Sequence, residues 1–294
     1  MTQTPNLVLT LVSQSGDAVR LAAGAPGSSG QAVDRSGNGW SVAERAVAGG
    51  PDLVGWLEAE APKLAADWAI TPATNRKKRL LISDMDSTII GQECLDELAD
   101  FAGLKAEVSA ITERAMRGEL DFASALTQRV AMLKGLALTA LAACHEQRVR
   151  LNPGARELVE TMKANGARCV LVSGGFGYFT SRVAKMAGFH ADRANRLIDD
   201  GAALTGAVGQ PILGREAKLT ALIEETTALG GTPDDAIAMG DGANDLDMIR
   251  AAGLGVAYKA KPIVAAETLA RIQHTDLRAA LFFQGYAVSE IIGG

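Results

Sequence analysis

Aromatic side chains are scarce in this 294-residue chain: three Trp, three Tyr and seven Phe make up 4% of it. An aromatic-rich β-sandwich is therefore a poor fit, and 32 glycines suit a fold of sheets and helices with many tight loops. Cysteine is equally thin. Cys94, Cys144 and Cys169 are odd in number and far apart, so neither a disulfide framework nor a metal-binding spacing can be read from them. Such usage suits a reducing, cytoplasmic setting. Long apolar runs are missing too. Nothing approaches the roughly 18 residues of a membrane span, and the opening MTQTPNLVLTLVSQ lacks the basic n-region of a signal peptide. Basic excess is also absent. The net charge is −5, and Arg76-Lys77-Lys78-Arg79 is the longest basic run, which reads as solvated punctuation before a buried strand. Neither nucleic acid nor membrane is an expected partner; a small-molecule substrate is. His145, His190 and His274 share no spacing and suggest no catalysis.

The length allows roughly two domains at about 150 residues each. Residues 1–75 form a small N-terminal α/β segment, with short strands expected near residues 7–12 and 37–42 and an amphipathic helix over 51–68. Residues 71–78, with Pro72 and the basic run, read as a linker. Over residues 77–294 the pattern changes to apolar runs of strand length at 80–83, 169–172, 236–239 and 254–257. Helical patterns at 153–165 and 215–229 separate them, so the spacing predicts a parallel α/β sheet covered on both faces. Residues 91–152 break this alternation. They read as four successive helices, at 92–101, 105–117, 121–134 and 138–148, inserted as a cap over the strand ends. Ligands of such sheets bind at the carboxyl ends of strands, and the polar clusters of this chain sit there.

The first cluster is Asp84-Met85-Asp86-Ser87-Thr88. A buried strand end has no structural use for two carboxylates, each costly unless paired or metal-bound. Phosphoryl transfer does need such a pair, one to attack phosphorus and one to move protons. The second is Gly240-Asp241-Gly242-Ala243-Asn244-Asp245. Asp241 and Asp245 offer the hard oxygen ligands that suit Mg²⁺. A dinucleotide loop would carry glycine where Asp245 stands. The third, Ser173-Gly174-Gly175, offers a hydroxyl and backbone N–H groups to an anion. Lys218, near a helix start, would balance charge beside a phosphate. Phe122, Leu126, Arg129 and Leu133 share one helix face, and an arginine within that stripe needs an anion, either an internal acid or a ligand carboxylate. Glu93 opens the first cap helix, where a negative charge is favourable. Met116 and Met132 read as core filling.

The order of these motifs, together with the stretches DMDSTIIGQECLDELA, RVAMLKGL, VLVSGGF, ANRL, LTGAV, MGDGANDLDMI and AKP, resembles the haloacid dehalogenase (HAD) superfamily and, within it, the phosphoserine phosphatase family. The resemblance spans about residues 80–284. It implies a three-layer Rossmann-like core with a helical cap, and hydrolysis of O-phospho-L-serine through an aspartyl-phosphate. It further implies Asp84 as nucleophile and Asp86 as general acid then base, with Mg²⁺ held by Asp84, Asp241, the Asp86 carbonyl and, close behind, Asp245. Ser173, Gly174 and Lys218 would hold phosphate, with Asn244 nearby. Glu93 would face the substrate ammonium and Arg129 its carboxylate, while Met116 and Phe122 would close the pocket. Relatives of this kind can carry an N-terminal regulatory α/β domain, of which residues 1–75 are a candidate degenerate form. Two other functions share these residues. One is a phosphotransferase passing phosphate to another hydroxyl. The other is a receiver-type signalling module, which Asp86 and the long helical insertion argue against.

Overall fold

The computed structural model describes residues 7–116 and 119–293, apart from the side chains of residues 113, 115 and 116. The chain opens with β1 (Leu7–Ser13), α1 (Ala18–Ala23), β2 (Ser28–Asp34), β3 (Ser41–Val47), α2 (Pro51–Glu60) and β4 (Ala66–Pro72). This βαββαβ order, with antiparallel strands placed β2-β3-β1-β4, is the ferredoxin-like arrangement. Leu9, Leu11, Leu21, Leu53, Leu57, Trp68 and Ile70 form its own core beneath the two helices. The helix expected over 51–68 is shorter. A 3₁₀ turn, Ala61–Leu64, follows α2, Ala65 adopts the left-handed conformation (φ 44°), and the chain then enters β4. Pro62 and the left-handed turn break the periodicity there, and β4 is buried along six of its seven residues.

The second unit contains β5 (Leu80–Ser83), the cap helices α3 (Cys94–Phe101), α4 (Lys105–Met116), α5 (Phe122–Met132) and α6 (Leu138–Arg148), then α7 (Ala155–Ala164), β6 (Arg168–Phe176), α8 (Gly177–Ala187) and β7 (Ala191–Asn195). A two-stranded ribbon follows, β8 (Leu197–Asp199) with β9 (Leu204–Val208). Next come α9 (Arg215–Ala228), β10 (Ala236–Gly240), α10 (Leu246–Ala251), β11 (Leu254–Tyr258) and β12 (Ala270–Ile272). The six strands β12-β11-β10-β5-β6-β7 are mutually parallel. Successive side chains alternate between two cores: Leu81, Cys169, Leu171, Ile237 and Met239 on one face, Leu80, Ile82, Val170, Val172, Ala236 and Ala238 on the other. The result is the three-layer sandwich that the apolar runs predict.

The two units share one sheet. β4 pairs antiparallel with β12 through Ala69↔Ala270 and Trp68↔Arg271, so a ten-stranded sheet runs through the described residues. The stretch expected as a linker is built into this seam. Arg76 donates to Glu44 Oε1 (2.6 Å), Thr10 Oγ1 (3.0 Å) and the Phe283 carbonyl (3.2 Å). Lys78 is buried, its ammonium on the Asp234 carbonyl at 2.7 Å. Arg76 and Lys78 thus tie neighbouring segments together, while Lys77 and Arg79 stay exposed as a solvated run would. Among the described residues no helix is long and apolar enough to cross a membrane.

Candidate active site

The parallel strands β5, β6 and β10 end side by side, and their C-terminal residues converge beneath the cap. β5 stops at Ser83, and the Asp84 N–H donates to the Met239 carbonyl (2.9 Å), tying two strand ends together. The Asp84 side chain caps the following turn by accepting the Met85 N–H (2.8 Å). Two residues on, Ser87 holds a left-handed conformation (φ 54°), a strained geometry for a residue with a Cβ. Asp86, just before that turn, lines the same cavity as Asp84.

Lys218, on the first turn of α9, is 2% exposed. Its ammonium lies 2.8 Å from Asp84 Oδ1 and 2.6 Å from Asp245 Oδ1. Burial works against this charge, but the two carboxylates outweigh it and raise its pKa above the usual lysine value. Asp245 is fully buried, and its second oxygen accepts the Gly242 N–H (3.1 Å). The glycine at 240 is required by space: a Cβ there would meet the Asp245 carboxylate carbon at 2.3 Å. Carboxylate oxygens of Asp84, Asp241 and Asp245 all come within 4.8 Å of one another. Burial, and then the Asp245 charge, pushes Asp84 well above the ordinary carboxylate pKa and Asp241 up to about 6. Three hard oxygen donors crowded against mutual repulsion fit a small divalent cation, whose charge would relieve that crowding.

Asp86 accepts the Cys94 N–H on one oxygen (3.0 Å) and the Ser173 hydroxyl on the other (3.4 Å). Burial, and then the negative charge of Glu93, raises its pKa to about 7. A carboxyl poised there can both give and take a proton near neutrality. Ser173 Oγ also accepts the Gly175 N–H (2.8 Å), which folds the Ser173-Gly174-Gly175 loop tightly over β6.

A cavity of about 150 Å³ opens between these strand ends and the cap. Asp84, Asp86, Ser173, Gly174, Asp241 and Asn244 line its floor; Glu93, Phe122 and Arg129 line its roof. Lys218 and Asp245 stand behind Asp84 rather than on the wall. The sequence-expected residues therefore meet in one place, except Met116. Met116 ends α4, and its side chain lies outside the described residues. Glu93 accepts the Ser87 hydroxyl (2.6 Å). Arg129 uses one N–H on the Ala125 carbonyl (3.4 Å), while Asp96 and Glu93 supply nearby negative charge. The cavity thus presents one acidic and one basic cap residue above three core carboxylates.

Two residues with no role in the sequence reading also belong here. Lys261 lines the cavity, and its N–H donates to the Asp241 carbonyl (3.1 Å). Asn195, 2% exposed, binds the Ser173-Gly174-Gly175 loop from below. Both fall within stretches that carry the resemblance, AKP and ANRL, but nothing in their local pattern singles them out.

The haloacid dehalogenase-like hydrolase profile matches residues 81–250. A phosphoserine phosphatase of Polaromonas sp. is 48% identical over 204 residues, 68% of this chain and 86% of that one. A phosphoserine phosphatase of Albidiferax ferrireducens is 46% identical over 69% of this chain and 88% of its own. Among solved structures, a HAD-family hydrolase of Salmonella enterica serovar Typhi superposes with a TM-score of 0.85 at 29% identity, covering 94% of this chain and 98% of that one. The last match takes in nearly the whole chain, beyond the stretch that the family profile covers.

Proposed function

The chain belongs to the haloacid dehalogenase-like hydrolase family, and from that premise we propose that it is a phosphoserine phosphatase. The observation that carries this reading is the pairing in one cavity of Asp84 and Asp86 with Glu93 and Arg129. A phosphate-transferring floor lies under a roof of one acid and one base, complementary to an ester whose other end is an amino acid zwitterion. The Polaromonas and Albidiferax relatives, both phosphoserine phosphatases, support the substrate.

In this reading Asp84 attacks phosphorus through the carboxylate oxygen not held by Lys218, forming an aspartyl-phosphate as the ester P–O bond breaks. Asp86 gives its proton to the departing serine oxygen. Water then attacks the aspartyl-phosphate while Asp86 takes a proton from it, and the release of phosphate restores both side chains. Lys218 fixes the nucleophile, offsets the charge of Asp84 and Asp245 and, together with the Ser173 hydroxyl and the Gly174 N–H, favours the phosphate oxygens. The cap closes over the reacting groups and limits water to the molecule that hydrolyses the intermediate.

Asp84, Asp241 and the Asp86 carbonyl would hold Mg²⁺, with Asp245 behind them. Bound there, Mg²⁺ would neutralise charge between the anionic nucleophile and the anionic phosphate. The test is phosphate release from a panel of phosphorylated amino acids and sugars, with Mg²⁺ and then with excess chelator. Phosphoserine should be preferred and chelator should abolish turnover. Ca²⁺ should support little, because its longer bonds and higher coordination spoil in-line attack. Full activity in excess chelator rules the metal reading out, and a preferred sugar phosphate overturns the substrate.

A further inference from the structure

β6 leaves the sheet where the site begins. Val172 pairs with Arg193 and Phe176 with Asn195, so four steps along β6 oppose two along β7. The surplus residues fall in Ser173-Gly174-Gly175, which bows out of the ladder toward the cavity. Such a bulge leaves backbone groups without their ladder partners and re-aims the residues it carries. In this fold a side chain supplies the missing partner. Asn195, the last residue of β7, donates from Nδ2 to the Gly174 carbonyl (2.8 Å). The same carboxamide pairs with Leu213 as a neighbouring strand would, donating to its carbonyl (3.1 Å) and accepting its N–H (2.7 Å).

Leu213 leads directly into α9. Gly214 is the residue before the first helical turn, and Lys218 projects from that turn onto Asp84 and Asp245. One buried carboxamide thus joins the loop that carries Ser173 and Gly174 to the start of the helix that carries Lys218. The two joined strips also share a contact with the cap. A Cβ on Gly174 would lie 3.2 Å from the Phe122 ring, and one on Gly214 would lie 3.4 Å from it. Gly174 and Gly214 therefore form the seat on which the first residue of α5 rests.

We infer that Asn195 is the positioning residue of the phosphate site: it holds the Gly174 loop and the α9 start in the one register that sets Gly174 and Ser173 opposite the Asp84 that Lys218 anchors, around the same phosphate, and it sets the seat for Phe122. The inference deepens the phosphatase reading and rests on it for the identity of the substrate. Asn195 does not line the cavity or touch the reacting atoms; it reaches the wall only through the Gly174 carbonyl, so its effect passes through backbone placement.

The experiment compares the full-length wild type with Asn195→Ala and Asn195→Asp. Aspartate keeps the size and the acceptor for the Leu213 N–H but turns the donors into a negative oxygen facing two carbonyls. Three quantities are read: kcat/KM for phosphoserine and for p-nitrophenyl phosphate, the inhibition constant of inorganic phosphate, and the thermal midpoint. Both variants should lose about 10²-fold in kcat/KM, the cost of a misplacement of roughly 1 Å. The loss should be equal for the two substrates, and inorganic phosphate should inhibit more weakly. A merely structural asparagine would lower the midpoint and leave the inhibition constant of the folded enzyme unchanged, and that result overturns the inference. A loss confined to phosphoserine overturns it as well, because the phosphate end is common to both substrates. Should Asn195→Ala fail to fold, the isosteric aspartate variant decides. If the wild type hydrolyses p-nitrophenyl phosphate but not phosphoserine, the substrate reading fails, while the nitrophenyl and inorganic-phosphate measurements still decide the role of Asn195.

Discussion

Arg129 sits half-buried on the cap with one N–H on the Ala125 carbonyl, and burial lowers its pKa while Asp96 and Glu93 oppose that shift. A guanidinium in that position is matched by a planar anion, and the substrate carboxylate is one. Arg129→Ala should lower kcat/KM for phosphoserine by roughly 10²-fold or more, the effect of leaving one ligand charge unpaired in a closed pocket. Activity on p-nitrophenyl phosphate, which lacks both the carboxylate and the ammonium, should hardly change. An equal fall for both esters would assign Arg129 to the cap's architecture instead. The nucleophile has its own test. After acid quenching, wild type treated with labelled phosphoserine should carry phosphate, and Asp84→Asn none; label retained on that variant would move the nucleophile elsewhere. Asp86→Asn should turn over more slowly by roughly 10²-fold or more for loss of proton transfer. These residues are legible in sequence because two acids at a buried strand end have no cheaper explanation. Asn195 is illegible for the opposite reason. An asparagine at a strand end is an ordinary turn residue until the carbonyls it catches, at positions 174 and 213, are brought beside it.

The β8–β9 ribbon lies against the C-terminal end of α5, the helix that carries both Phe122 and Arg129. Gly206 makes the approach possible. Its φ is 81°, and a Cβ there would come within 2.9 Å of Lys134 Cβ and 3.3 Å of the Ala131 carbonyl. Gly206→Ala should cost at least about 1–2 kcal/mol for the left-handed backbone alone, read as a shift in the urea midpoint. It should also raise KM for phosphoserine as the ribbon pushes α5 away. Gly201→Ala is the matched control: its φ is 91°, but nothing lies within 4 Å of the added carbon. Equal KM values in the two variants would mean that the ribbon does not brace the cap. The cap helices and the strands at Leu80–Ser83, Ala236–Gly240 and Leu254–Tyr258 were legible because fully buried parallel strands read as short apolar runs and cap helices keep a 3–4 period. β4 and the ribbon were not. Ala66–Pro72 continues the apolar content of the helix before it, so only Pro62 marks the break, and the ribbon strands are short and of mixed polarity.

The groups proposed to act on substrate all lie within residues 77–294, yet the sheet does not end at that boundary. Asp67, 1% exposed, accepts the N–H groups of Gln273 (2.7 Å), His274 (3.0 Å) and Thr275 (2.8 Å) and the Thr275 hydroxyl (2.5 Å). Trp40 packs on Phe282 with ring centroids 5.1 Å apart, and Val12, Trp40, Val42 and Ala69 belong to the same core as Leu277 and Phe283. The ferredoxin-like unit therefore covers one edge and part of one face of the parallel sheet, on the side away from β6 and β7. Asp67→Ala in the full chain should cost roughly 1–3 kcal/mol, because it removes the one acceptor shared by three backbone N–H groups and the Thr275 hydroxyl. Its effect on kcat should be small, since the seam lies beyond β11 and β12 from the Asp84 strand. Residues 77–294 alone should keep phosphoserine hydrolysis, with kcat/KM near that of the full chain, while the exposed Phe282 and the bare β12 edge lower the thermal midpoint and favour aggregation. The measurement is kcat/KM beside thermal unfolding for both lengths. A truncated protein that melts cooperatively but hydrolyses nothing would show that the N-terminal unit helps to shape the site, with the β4–β12 pairing as the route.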